Sequence, residues 1–213
     1  MVAIPGSELL STTLHIISQS LLLPVVAFLL LFMAYAVINF GEFMSEYSSR
    51  VRVNSKDLKN MINTFSNKNA QEISSLISEM RLNRTHIEII KELCEEECND
   101  LKMVESHARN LIEREELRLA KTLEKTDFVT RLGPTLGLMG TLIPMGPGLA
   151  ALGAGDIHSL ANAIIIAFDT TVVGLAAGGI CYVISKVRRR WYEEQMSTLD
   201  VLMESVVEAL KKC

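Results

Sequence analysis

Asp169 is the side chain in this sequence best suited to chemistry. It lies in an otherwise uncharged run, residues 160–184, and is followed directly by Thr170 and Thr171. Thr141 interrupts a second apolar run, residues 132–154. A carboxylate flanked by hydroxyls can accept and pass on a proton, or replace part of a cation's hydration shell. An acid inside a run long enough to cross a bilayer is expensive, and such residues serve ion pathways more often than architecture. At about 1.5 Å of rise per residue, Thr141 stands ~14 Å and Asp169 ~20 Å from the inner ends of their runs, near mid-membrane. The competing interpretation is structural. Asp169 would then tie neighbouring helices in register, and each threonine would bond to its own helix backbone.

The elements that must position these groups are legible from the segregation of charge. Residues 21–40, 132–154 and 160–187 hold almost no charge before the basic flank that closes the third run, while 41–131 is dense in Lys, Arg, Asp and Glu. Each apolar run meets the roughly 20 residues that ~30 Å of hydrocarbon requires. The sequence predicts an all-α membrane protein with three transmembrane helices and long cytosolic helical extensions. Its segments are an extracytoplasmic stretch at 1–20, spans at 21–40, 132–154 and 160–187, a cytosolic helical domain at 41–131, an outer turn at 155–159 and a cytosolic C-terminal helix at 188–213. The first run lacks a basic leader and a small-residue cleavage site before charge appears, so it is expected to stay as a transmembrane helix.

Orientation follows from Lys and Arg. Residues 1–20 and the outer turn contain neither, whereas Arg50, Arg52 and Lys56 follow the first run, Arg131 precedes the second and Lys186, Arg188, Arg189 and Arg190 follow the third. The positive-inside rule therefore places the N-terminus outside and the C-terminus in the cytoplasm. The Lys186–Arg190 cluster needs no role beyond membrane anchoring.

Between Pro24 and Arg131 there is no proline, and the only glycine is Gly41. Helices can run on through that interval. Breaks are expected near Asn54–Ser55, where Ser55 offers an N-cap, and at residues 66–69. Ile73, Leu76, Ile77 and Met80 form one helical stripe. Ile87, Ile90, Cys94, Cys98, Leu101, Val104, Ala108 and Leu111 form another. Such stripes demand partner helices, so a cytosolic bundle is expected, built partly between subunits. Cys94 and Cys98, with His86 and His107, could suggest a metal. Their spacing is not a zinc pattern and both cysteines lie on the apolar stripe, so core packing is expected and no metal or cofactor. The four cysteines make no disulfide framework.

The second span is rich in Gly and carries Pro134, Pro144 and Pro147. Gly137 and Gly140 there, with Gly174 and Gly178 in the third span, predict close helix packing. Pro144 and Pro147 are expected to kink the second span or loosen its outer end. No phosphate loop, nucleic-acid patch or serine–histidine–acid arrangement is present, so an enzyme is not expected.

Two motifs resemble a known family. Leu136-Gly137-Leu138-Met139-Gly140-Thr141-Leu142-Ile143 is similar to the LGLLGTV signature of the MotA/TolQ/ExbB proton-channel family. Ala167-Phe168-Asp169-Thr170-Thr171-Val172-Val173-Gly174-Leu175-Ala176-Ala177 resembles that family's third helix, and the layout of spans and cytosolic segment matches. The resemblance implies a ring-forming homo-oligomer, a pentamer, in a prokaryotic inner membrane. The ring surrounds two copies of a single-span partner of the ExbD/TolR/MotB type, each with a membrane aspartate. It implies proton flow, or sodium flow in some members, beside the threonines matched here by Thr141 and Thr171, driving a motor whose external work falls to the partner. One departure stands out. Ton-system members carry a glutamate five residues before the third-helix threonine, where this chain has Ile166. Asp169 lies one turn on, about 60° around the helix from Ile166 and about 160° from Thr171.

The expected function is thus an ion-conducting ring subunit, with Thr141, Asp169, Thr170 and Thr171 along the pathway. A purely structural membrane scaffold and a subunit of a solute transporter are the alternatives. Three spans contain no inverted repeat of the transporter kind.

Overall fold

Uninterrupted apolar sequence and scarce breakers give long helices. The computed structural model describes residues 7–49, 55–65, 70–79, 82–95 and 101–211. They form α1 (Ser7–Ser49), α2 (Ser55–Phe65), α3 (Ala70–Glu79), α4 (Arg84–Glu95), α5 (Leu101–Gly153) and α6 (Ile157–Leu210), with no strand among the described residues. α1, α5 and α6 each contain a stretch long and apolar enough to cross a membrane. The protein is an all-helical membrane protein. α2 opens at Ser55, where a cap was expected. The expected turn at 66–69, with Met80 and Cys98 of the predicted stripes, lies outside the described residues.

α5 and α6 are joined by a tight turn whose residues explain its geometry. Asp156 N–H donates to the Ala151 carbonyl (2.9 Å) and Gly155 N–H to Leu152 (3.0 Å), the paired bonds of a Schellman ending. Gly155 holds φ of 82°, the left-handed conformation this ending needs. Asp156 then caps α6, accepting from Ser159 N–H at 3.0 Å and from the Ser159 hydroxyl. Those two bonds hold its carboxyl below the usual carboxylate range.

The chain divides into two compact units. One comprises Met1–Ser45 and Glu124–Lys186 and holds the apolar stretches; the other comprises Glu46–Leu123 and Val187–Cys213. In the first, Val25 and Leu29 of α1 bury against Ile143, Leu136 and Val173, and Ala36 buries against Val129, Ala177 and Cys181. Of the two outcomes expected for Pro144 and Pro147, a loosened outer end is not seen: α5 continues as helix to Gly153. Tertiary packing explains this. Ile143 is clamped by α1, and a Cβ on Gly148 would lie only 2.8 Å from Ala163 Cβ, so α6 supports the turn that contains both prolines.

In the second unit the predicted stripes do form a core. Phe65, Ile73, Ile77, Ile90, Val104, Ala108 and Leu111 are all buried. What the sequence reading did not assign is the rest of that core: Leu199, Leu202, Met203 and Val206 of α6 close it. They recur at three- and four-residue spacing, so the signal was present. Arg188, 6% exposed, donates from Nε to Glu46 Oε2 at 2.8 Å, and Tyr47 lies against Trp191 with ring centroids 6.0 Å apart. His86 is buried in this unit, and loss of hydration lowers its pKa from 6.5 to about 4, which keeps it neutral near pH 7. Cys94 packs against the same core, where burial first and Glu95 second push its thiol up to about 11. A thiol so far from ionisation is a packing residue, not a reactive one.

Candidate functional site

The site grows from a seam of glycines in the first unit. A Cβ placed on Gly174 of α6 would lie 2.6 Å from the Gly133 carbonyl oxygen and 3.0 Å from Gly137 Cα. One on Gly137 would meet the Thr170 carbonyl at 3.3 Å, and one on Gly178 would meet Pro134 Cδ at 2.7 Å. Gly137, Gly140, Gly174 and Gly178 therefore let α5 and α6 touch backbone to backbone, joined by Gly133. Contact this close leaves dispersion and weak Cα–H contacts as the adhesive, which suits a lipid setting with no hydrophobic driving force.

The seam decides how each polar side chain is aimed. Thr170 is buried in it: a Cβ on Gly140 would lie 2.6 Å from both Thr170 Cβ and its Oγ1. Its hydroxyl donates to the carbonyls of Ile166 and Ala167, each at 3.0 Å. Thr171 and Thr141 are half-buried at the seam's edge. Thr171 donates to Ala167 O at 3.1 Å and Thr141 to Leu138 O at 2.7 Å. Since a Cβ on Gly137 would stand 3.5 Å from Thr171 Cα, Thr171 lies beside Gly137, one turn of α5 from Thr141. Each hydroxyl spends its proton on its own helix and keeps lone pairs for a passing cation or water.

Asp169 points elsewhere. It is exposed on the surface of this chain, among Phe168 and Val172, which are 68% and 64% exposed. Ile166, at the position of the Ton-system glutamate, is also exposed. Thr170 thus separates Asp169 from Thr171: the structure brings Thr141 and Thr171 to one edge of the seam and leaves Asp169 on another face of α6.

Polar groups that the sequence reading passed over complete the first unit. Asn39 in α1 is buried and donates from Nδ2 to Tyr35 O at 3.0 Å. Toward the end of the seam that carries the basic residues, the Ser185 hydroxyl of α6 donates to Asp127 Oδ1 of α5. Beside Asp127, the buried Thr126 hydroxyl has no partner among the described residues. The signal that could have found this pair is register. Asp127 precedes Thr141 by the same interval of 14 residues by which Ser185 follows Thr171.

No curated protein and no solved structure matches the chain. A model of the MotA/TolQ/ExbB proton channel family matches residues 58–201, well over half of its 213 residues, and includes the seam, all of α5 and α6 as far as residue 201. The chain belongs to the MotA/TolQ/ExbB proton channel family, whose members are channels of energy-transducing complexes.

Proposed function

We propose that this protein is the proton-conducting ring subunit of an ion-driven rotary motor, working with a single-span partner in a prokaryotic inner membrane, N-terminus outside. One observation carries the reading: Asp169 lies exposed near the middle of an apolar span, between side chains that are themselves exposed. A carboxylate in that position facing acyl chains costs several kcal/mol, of order 3 on insertion scales. The face that carries it must therefore be covered by another protein chain and reached by water. A second copy of this chain and a partner helix supply such cover, in the family a ring of five around two. Thr141 and Thr171 line the route of the ion, Asp169 serves it from the covered face, and Thr170 holds α6 against α5.

The test is proton flux through the complex isolated from its own membrane by a tag on this chain and reconstituted in liposomes. Asp169→Asn, Thr141→Ala and Thr171→Ala should each slow lumen acidification without changing the oligomer mass. Unchanged flux in all three overturns the assignment. A sodium-driven version would instead lose sodium-dependent uptake in the same variants.

A structural scaffold is the second reading, and the hydroxyls bonded to their own backbones favour it. Under it, the three variants would alter assembly and carry no ion phenotype.

A further inference from the structure

The α5–α6 edge that holds Thr141 and Thr171 continues toward the basic end of the first unit as a column of polar groups. On α5, Asp127 lies 14 residues from Thr141. That interval is about 21 Å of rise and brings the side chain back to within ~40° of the same helix face. On α6, Ser185 stands in the same relation to Thr171. The two columns meet at their end, where the Ser185 hydroxyl donates to the Asp127 carboxylate.

Between the two levels the seam supplies an acceptor. Pro134 has no N–H, so the Thr130 carbonyl, four residues back, lacks its helical donor. That carbonyl lies at the seam, 3.4 Å from where a Cβ on Gly178 would be. Thr130 and Pro134 are both half-buried, as are Thr141, Thr171 and Asp127. All are therefore partly exposed along this edge of the seam. Next to Asp127 the buried Thr126 hydroxyl has no partner among the described residues.

We infer that Asp127, oriented by Ser185, is the inner relay of the ion route: it takes the proton that has passed Thr171 and the Thr130 carbonyl and releases it to cytosolic water. The inference rests on the reading of Thr141 and Thr171 as route-lining. The proton arrives on a carboxylate oxygen of Asp127 and leaves from it to water, so the group returns unchanged after each passage.

The experiment uses the same reconstituted complex and a pH-sensitive dye in the liposome lumen. Asp127→Asn keeps an oxygen that can accept from Ser185 and should leave oligomer mass and thermal midpoint as they are, while proton flux falls about tenfold or more, the usual worth of a positioned proton acceptor. Asp127→Glu restores the carboxylate and should recover most of the flux. Wild-type flux in Asp127→Asn, with Thr141→Ala and Thr171→Ala slow, removes the relay and leaves the route standing. If the threonine variants also conduct normally, the route itself falls and the relay with it. Should Asp127→Asn fail to assemble, Asp127→Ser is compared with Asp127→Glu. Glutamate no better than serine in assembled complexes means that Asp127 only packs.

Discussion

Thr170 fills the hollow that Gly140 leaves. A Cβ at 140 would stand 2.6 Å from the Thr170 hydroxyl oxygen, closer than two such atoms approach. This contact sets the rotation of α6 about its own axis, and so decides which of three consecutive polar residues faces the seam, its edge or the outside.

The contact predicts opposite fates for glycines of similar helical preference. Alanine has the better helix propensity by about 1 kcal/mol. At Gly179 and Gly41, where nothing lies within 4 Å, that gain should stand, subject to what covers those faces in the complex. At Gly174 the new methyl would meet backbone 2.6 Å away, which cannot yield cheaply. Gly174→Ala should therefore destabilise by about 1–3 kcal/mol despite its propensity. Thermal unfolding in nanodiscs, comparing Gly174→Ala with Gly179→Ala, checks the order.

Thr170 and Thr171 should part company under the same substitution. Thr170→Ala removes buried volume from the seam and should lower stability by about 1–2 kcal/mol. Thr171→Ala, at the half-buried edge, should leave the thermal midpoint nearly unchanged and slow proton flux. Measuring both properties on both variants separates wall from route. A Thr170→Ala protein that unfolds like wild type but conducts poorly would reverse the assignment.

The core of the second unit should be sensitive to acid through His86. Burial lowers its pKa from 6.5 to about 4, so the folded state resists a proton that the unfolded chain accepts. Stability attributable to this group is complete above pH 6.5 and lost as pH falls through about 4, a total of up to about 3 kcal/mol. His86→Leu should flatten the stability profile over that window, followed by denaturant unfolding at fixed pH steps. A slope unchanged by the substitution would assign the acid response to other groups.

Glu46 and Arg188 join α1 to α6 within the second unit, and Arg188 is almost wholly buried. Glu46→Ala should cost about 1–3 kcal/mol, since a buried guanidinium loses a charged acceptor. Trp191 is the sole tryptophan and lies against Tyr47, one residue from Glu46. Its emission should shift to the red if this junction loosens.

Spans, their number and the motif-bearing helices were legible in the residues because they depend on composition and period, which are local properties. So were the stripes Ile73–Ile77 and Val104–Leu111, for the same reason. The C-terminal stripe Leu199–Val206 was equally periodic, but nothing local says which helix it must meet. That α5 stays helical past Pro144 and Pro147 was not legible for a related cause: a proline's missing bond is local, whereas the clamp of Ile143 by α1 and Gly148 by α6 is not.

The residues alone determined that polar groups sit deep in apolar helices, with small side chains around them. Only the tertiary structure decided that Thr170 faces inward, Thr141 and Thr171 share an edge, Asp169 lies outside and Asp127 meets Ser185. Helical period places each side chain on its own helix. Which face becomes the seam depends on where two backbones can approach, and that is a property of both helices at once.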